Sequence, residues 1–200
     1  YDLHEVEYLQ NVPLRIGERT IVISVYTTLL PGSDVDVYLI HAPDYYSRGS
    51  IYTDHDDEYF RFYLLSHAAL VCCQYMGWSP DIVHCNDWQT ALVPVLLRTT
   101  FNWDGLLRRS RTVLTIHNIA YQGIFPSSVL HDLGLSSHRD LFFQDDLTNG
   151  VVSYMKSGIL YADVVTAVSK TYAREIQTPE FGAGLDGLLR RRSEALIGIV

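Results

Sequence analysis

Three stretches of this sequence run from apolar residues straight into groups that can do chemistry. They are Asp81-Ile82-Val83-His84-Cys85-Asn86-Asp87, Thr112-Val113-Leu114-Thr115-Ile116-His117-Asn118, and Asp163-Val164-Val165-Thr166-Ala167-Val168-Ser169. Each reads as a short buried strand with polar residues at its carboxyl end, where open parallel sheets hold their ligands. A carboxylate accepts hydrogen bonds from hydroxyls, an imidazole donates or accepts, and a carboxamide does both. Asp87, His117, Asn118 and Ser169 therefore outline a small-molecule site rather than a plain core.

Each of these residues also has an ordinary structural reading. Asp87 is well placed as the N-cap of a helix over 88–100, and it can hold that role and a site role together. His117 at the end of a buried strand can be a satisfied core histidine. Asn118 beside it shifts the balance, because two adjacent polar groups there are costly unless paired or wet. Trp88, Tyr121 and Gln122 suit a sugar site, since aromatic faces stack on pyranose rings and amides bond hydroxyls. Trp88 equally suits the apolar face of its helix. Tyr52, in Gly49-Ser50-Ile51-Tyr52, reads by itself as a surface or partly packed tyrosine.

Other chemistries fit the spacing poorly. His84 and Cys85 are adjacent on a strand and point to opposite faces, so His84, Cys85, Asp87 and His117 make a poor ligand set and no metal is expected. Cys85 as nucleophile with His117 as base lacks an oxyanion-hole signal and an orienting carboxylate. Gly182-Ala183-Gly184-Leu185-Asp186-Gly187 matches the dinucleotide pattern G-x-G-x-x-G, but it follows Pro179-Glu180-Phe181 and not a strand. It reads as a loop, and no cofactor is expected.

The elements that must position these groups follow from periodicity. Residues 20–30 and 35–40 read as an antiparallel hairpin around Pro31-Gly32-Ser33-Asp34. A tyrosine-rich loop follows over 43–52. A helix over 57–76 carries Phe60, Tyr63, Leu64, His67, Val71 and Tyr75 near one face, with Gly77 to end it and Pro80 to block its continuation. Strands over 81–85, 111–116 and 163–168 alternate with helices. In the helix over 88–100, Trp88, Ala91, Leu92, Val95 and Leu96 form one buried face, and Pro94 is expected to kink it. Residues 118–148 form a long mixed connection of the kind that clothes a site. A helix over 151–161 leads to the third strand, and Ser169 caps a helix ending near Gln177. Alternating strands and helices give an α/β fold with a Rossmann-like parallel sheet, flanking helices and an antiparallel hairpin extension.

Composition bounds the function. The 200 residues carry a net charge of −8 with 48% hydrophobic residues, enough for a real core. An acidic chain makes a poor nucleic-acid surface, because phosphate neutralisation needs clustered cations. Arg108, Arg109 and Arg111, and Arg190, Arg191 and Arg192, read as solvated faces. No run of 18 apolar residues is present, so no membrane span is expected. Cys72, Cys73 and Cys85 lack metal or redox spacing and read as buried free thiols.

The words from His84 to Leu97, from Thr115 to Phe125 and from Thr166 to Ile176 resemble the amino-terminal lobe of the glycogen and starch synthase family. Asn-Asp-Trp at 86–88 and His-Asn-x-Ala-Tyr-Gln-Gly at 117–123 carry the resemblance in combination, and it extends over nearly the whole chain. It implies one lobe, residues 1–200, of a two-lobed GT-B glucosyltransferase. Such an enzyme transfers glucose from ADP-glucose to the non-reducing end of an α-1,4-glucan with retention, and it needs no metal. Asp87 and His117 then match catalytic-site residues, with Tyr52, Trp88, Asn118, Tyr121 and Gln122 around the sugar. The family's Lys-Thr-Gly-Gly-Leu segment and its second lobe would lie outside this sequence, so the chain is expected to be truncated at both ends and inactive by itself. In the family word Asp-Asn-x-x-Arg-Phe, this chain has Asp57-Glu58-Tyr59-Phe60-Arg61-Phe62, with Glu58 where Asn is usual. A cytoplasmic setting is expected, or a plastid for a plant or alga. The alternatives are another two-lobed nucleotide-sugar glucosyltransferase and a non-catalytic glucan-binding lobe.

Overall fold

The structure is a computed structural model that describes residues 3–53 and 55–199. The chain opens with β1 (His4–Glu5), β2 (Val12–Ile16), β3 (Arg19–Leu29) and β4 (Asp36–His41), which form one antiparallel sheet. The expected hairpin is β3 and β4, paired from Ser24 with His41 to Leu29 with Asp36. Sequence reading missed β2, which pairs with the first half of β3. The alternation of buried and exposed residues along β2 (buried at Val12, Leu14 and Ile16) is that of a strand with one face on a core.

A short helix α1 (Pro43–Tyr46) precedes the 18-residue helix α2 (Glu58–Tyr75). The expected single apolar face of α2 is too narrow a description. Tyr59 to Leu64, Ser66, His67, Ala68 and Leu70 to Cys72 are all buried, while Tyr75 is exposed. The helix touches β2 and β4 of the antiparallel layer and also the helices beneath it. A helix apolar all round belongs in a core.

The second sheet holds β5 (Ile82–Asn86), β6 (Arg111–Ile116), β9 (Val164–Ala167) and β10 (Leu196–Gly198), all parallel and neighbouring in chain order. The expected helix over 88–100 is two helices, α3 (Asp87–Thr90) and α4 (Val93–Arg98). Pro94 lies in the first turn of α4, where its missing N–H costs nothing, so it starts a helix instead of kinking one. The buried face survives the break: Ala91, Leu92, Val95 and Leu96 are all buried.

The long connection after β6 contains β7 (Ile124–Pro126), α5 (Val129–Asp132) and α6 (Gln144–Thr148). The expected helix over 151–161 is β8 (Val151–Ser153), antiparallel to β7, followed by α7 (Tyr154–Tyr161). Gly158 lets α7 press on the break between α3 and α4, because a Cβ there would lie 2.7 Å from the Ala91 Cβ and 2.8 Å from its carbonyl oxygen. Three tyrosine hydroxyls fasten α2 to this layer: Tyr63 to the Leu133 carbonyl, Tyr59 to Asp132, and Tyr154 to the Tyr59 carbonyl. After β9, Ser169 caps α8 (Lys170–Glu175) as expected, accepting the Tyr172 N–H at 2.9 Å. The glycine-containing turn over 182–184 leads into α9 (Asp186–Arg191) before β10. Among the described residues no helix is long and apolar enough to cross a membrane.

Candidate active site

The carboxyl ends of β5 and β6 open into a cleft of about 780 Å³. Its floor starts at Asp87, the first residue beyond β5. Asp87 is not the helix cap that its position suggested. Its backbone is left-handed, with φ 54°, and Asn86 stands at the cap position. The Thr90 hydroxyl closes this elbow, accepting the Asn86 N–H at 2.7 Å and donating to the Asn86 carbonyl at 3.0 Å. A non-glycine residue with positive φ is unfavourable, and Asp is among the few that tolerate it.

The bent backbone turns the Asp87 carboxylate toward the end of β6. Oδ1 accepts the His117 N–H at 2.7 Å and the Asn118 N–H at 3.4 Å, and Oδ2 lies 2.9 Å from His117 Nδ1. His117 is no core histidine, since its side chain is half exposed. It stands beside the cleft, while Asp87 and Asn118 line it. The Asn118 carboxamide accepts the Ala120 N–H at 3.0 Å, an Asx turn that starts the cleft loop.

That loop carries Tyr121, Gln122 and Gly123 into the lining. Tyr121 is 67% exposed, an open aromatic face. The Gln122 side-chain amide nitrogen donates to the Ala183 carbonyl at 2.9 Å, so it ties the cleft to the glycine-containing turn. The Gln122 and Gly123 carbonyls accept the first N–H groups of α7, from Met155 and Tyr154, at 3.0 Å each. Trp88 forms a wall within an aromatic cluster, 4.8 Å from Phe62 and 5.8 Å from Phe125. Gly123 lies against its ring: a Cβ there would come within 2.3 Å of Trp88 Cε3.

Tyr52 closes the far side, its hydroxyl accepting from Gln89 Nε2 at 3.0 Å. The lining also includes Thr53, Glu58, Gln89, Ile124 and Phe125, which sequence reading did not place there. The sequence gives no signal for Thr53 or Glu58, because the fold-back of the 51–53 segment onto α2 is set by contacts and not by spacing. Ser169, expected at a third strand end, spends its hydroxyl on the cap of α8 and is absent from the lining. Among the described residues no group of three potential ligands could hold a metal ion. Burial pushes the Cys85 thiol up to about 12 and the Cys72 thiol to about 11, the latter helped by Cys73, so neither is a ready nucleophile.

The chemistry of the lining is selective. Among the described residues it contains two carboxylates, Asp87 and Glu58, several amides and hydroxyls, and no lysine or arginine. Such a surface accepts hydrogen bonds from neutral hydroxyls and offers nothing to neutralise a phosphate.

The chain is similar to known proteins over nearly its whole length. The family model described as the starch synthase catalytic domain matches residues 1–191. The chain is 49% identical over 168 residues to a glycogen synthase of Desulforudis audaxviator, covering 83% of this chain and 33% of that protein. It is 41% identical over 198 residues to a glycogen synthase of Moorella thermoacetica, covering 98% and 40%. Among solved structures, the catalytic domain of starch synthase IV from Arabidopsis thaliana, bound to ADP and acarbose, superposes with a TM-score of 0.88. The two are 32% identical, and the match covers 100% of this chain and 40% of that one. The chain thus spans about two fifths or less of the length of these relatives. Sequence and fold together place it: this chain belongs to the starch synthase catalytic domain family.

Proposed function

We propose that the protein carrying this chain transfers glucose from ADP-glucose to the 4-hydroxyl at the end of an α-1,4-glucan, with retention at the anomeric carbon. This chain supplies one lobe of the two that enclose the reaction. The observation that carries the reading is the convergence of Asp87, His117 and Asn118 at adjacent strand ends, with Asp87 and Asn118 lining a cleft rich in hydrogen-bond acceptors and His117 beside it. The related starch synthase IV domain binds ADP and acarbose, a nucleotide and a saccharide.

In this reading the bond from the anomeric carbon to the ADP phosphate oxygen breaks, and a bond to the acceptor's O4 forms. The proton of the acceptor hydroxyl leaves with the phosphate. Asp87 and His117 hold the glucosyl unit, with Asn118 and the Tyr121 face beside it. Among the described residues no lysine or arginine lines the cleft, which supports a reading in which the departing diphosphate is stabilised by residues outside this cleft wall. Closure of a second lobe over the cleft would exclude water, the competing acceptor.

The test is ADP release by the intact protein with ADP-glucose and glycogen, comparing wild type with Asp87→Ala and His117→Ala, each checked for folding. Glycogen-dependent turnover that both substitutions abolish supports the reading. A folded wild-type protein that binds glucan but releases no ADP sinks it, and leaves a glucan-binding lobe or another donor.

A further inference from the structure

We propose that Glu58 is a positioning residue for the saccharide site: it ties the Tyr52 segment to the start of α2 and so sets the wall against which the sugar binds. The inference rests on the glucan reading of the cleft.

The geometry is that of an anchor. Glu58 lines the cleft, yet its side chain is only 12% exposed, and that of its partner Arg61 only 5%. Glu58 Oε1 accepts Arg61 Nη1 at 2.6 Å, the Thr53 N–H at 2.8 Å, and the Thr53 hydroxyl. Arg61 adds bonds to the Ile51 carbonyl at 3.2 Å and the Tyr45 carbonyl at 2.8 Å. Residues on both sides of Tyr52 are thus held by one buried ion pair on α2. A second pair, Arg48 with Asp57 at 2.6 and 2.8 Å, reaches the same Thr53 hydroxyl at 3.4 Å.

Glu58 Oε2 is buried without a hydrogen-bond partner among the described residues. A buried carboxylate with one idle oxygen is expensive unless a nearby cation offsets it. Arg61 does so here, and the arrangement earns its place through what Oε1 holds. An asparagine, one methylene shorter and neutral, would neither pair with Arg61 in this way nor reach Thr53 in the same geometry. Tyr52 itself touches the opposite wall through Gln89, the neighbour of Trp88. A loosened 51–53 segment would therefore widen the cleft without disturbing Asp87 or His117.

The experiment combines binding of maltoheptaose by calorimetry, amide exchange over residues 51–53, and steady-state kinetics, all on the intact protein. E58A should speed exchange of the Thr53 amide at least tenfold and raise the maltoheptaose Kd and the glucan KM about tenfold, with kcat within about twofold. E58Q, which keeps an acceptor at Oε1, should recover most of the affinity. In a Y52A background, E58A should weaken binding no further. T53V, which leaves the buried pair intact and so folds even where E58A does not, should raise Kd about threefold. An unchanged Thr53 amide or unchanged Kd in folded E58A overturns the proposal, as does an unchanged Kd in T53V. So does a full additional loss in the Y52A background. A wild-type protein that binds no maltoheptaose overturns the glucan reading and this proposal together; wild-type binding that E58A leaves intact overturns this proposal alone.

Discussion

The Asp87 carboxylate meets His117 twice: Oδ1 accepts its backbone N–H at 2.7 Å, and Oδ2 lies 2.9 Å from its ring Nδ1. The ring is set with its Nδ1 edge against the carboxylate. Asp87 reaches both atoms only because its own backbone sits at φ 54°. The elbow after β5 and the orientation of the imidazole after β6 are thus one feature. Asp87→Asn isolates the chemistry, since Asn also tolerates positive φ but sets an amide against the ring or the backbone. It should fold near normally and lose about 10²-fold in kcat/KM, the scale of a mispositioned group. Asp87→Ala adds backbone strain and should be less stable than Asp87→Asn by about 1–2 kcal/mol. Urea unfolding of both variants, with kinetics, separates the two effects.

Gly123 is required twice over. Its φ is +59°, and a Cβ would overlap the Trp88 ring at 2.3 Å. Gly123→Ala should therefore cost about 2–4 kcal/mol, combining left-handed strain with overpacking. Because Trp88 is the part that must yield, its fluorescence should shift along with the unfolding midpoint. A variant as stable as wild type would show that the loop can retreat from the ring.

Asp87, His117 and Asn118 were legible because a polar residue closing an apolar run has few places to go in a parallel sheet. The three strands were legible for the same reason, and β6 was read at its observed ends. Other elements were not. The face made by Ala91, Leu92, Val95 and Leu96 persists across the break between α3 and α4, and periodicity records faces, not hydrogen bonds. Val151 and Val152 fit a helix or a strand equally well, and only pairing with Phe125 and Pro126 decides for β8. The Tyr52 wall depends on ion pairs from Arg48 and Arg61, whose partners no spacing rule selects.

Two aromatic residues of the cleft should respond in opposite ways to truncation. Trp88 packs on Phe62, Phe125 and Tyr154, whereas Tyr121 is 67% exposed. Trp88→Ala should destabilise the protein by about 3–5 kcal/mol, as loss of a packed aromatic does. Tyr121→Ala should leave stability within about 0.5 kcal/mol and still weaken binding of acarbose or maltoheptaose severalfold. Calorimetric titration beside urea unfolding checks both. Unchanged saccharide binding by Tyr121→Ala would remove Tyr121 from the sugar site.

His67 gives the fold a pH dependence remote from the cleft. It lies in α2, 5% exposed, between the rings of Tyr63 at 6.0 Å and Phe101 at 5.1 Å, and its Nδ1 has no partner among the described residues. Burial lowers its pKa from the ordinary 6.5 to about 4. The Tyr63 hydroxyl beside it is itself pushed up by burial and stays neutral. The native state thus resists a proton that the unfolded chain takes readily. Above pH 6.5 both states are neutral at His67 and nothing is lost. As pH falls from 6.5 toward 4, the unfolded state gains protonation free energy and native stability declines, by about 2 kcal/mol at pH 5. His67→Leu fills the same apolar site without titrating. The stability difference between His67→Leu and wild type should move in favour of the variant by that amount between pH 7.5 and pH 5 in urea unfolding. A difference that stays constant across this range would mean that His67 accepts its proton in the folded protein as easily as in the unfolded chain.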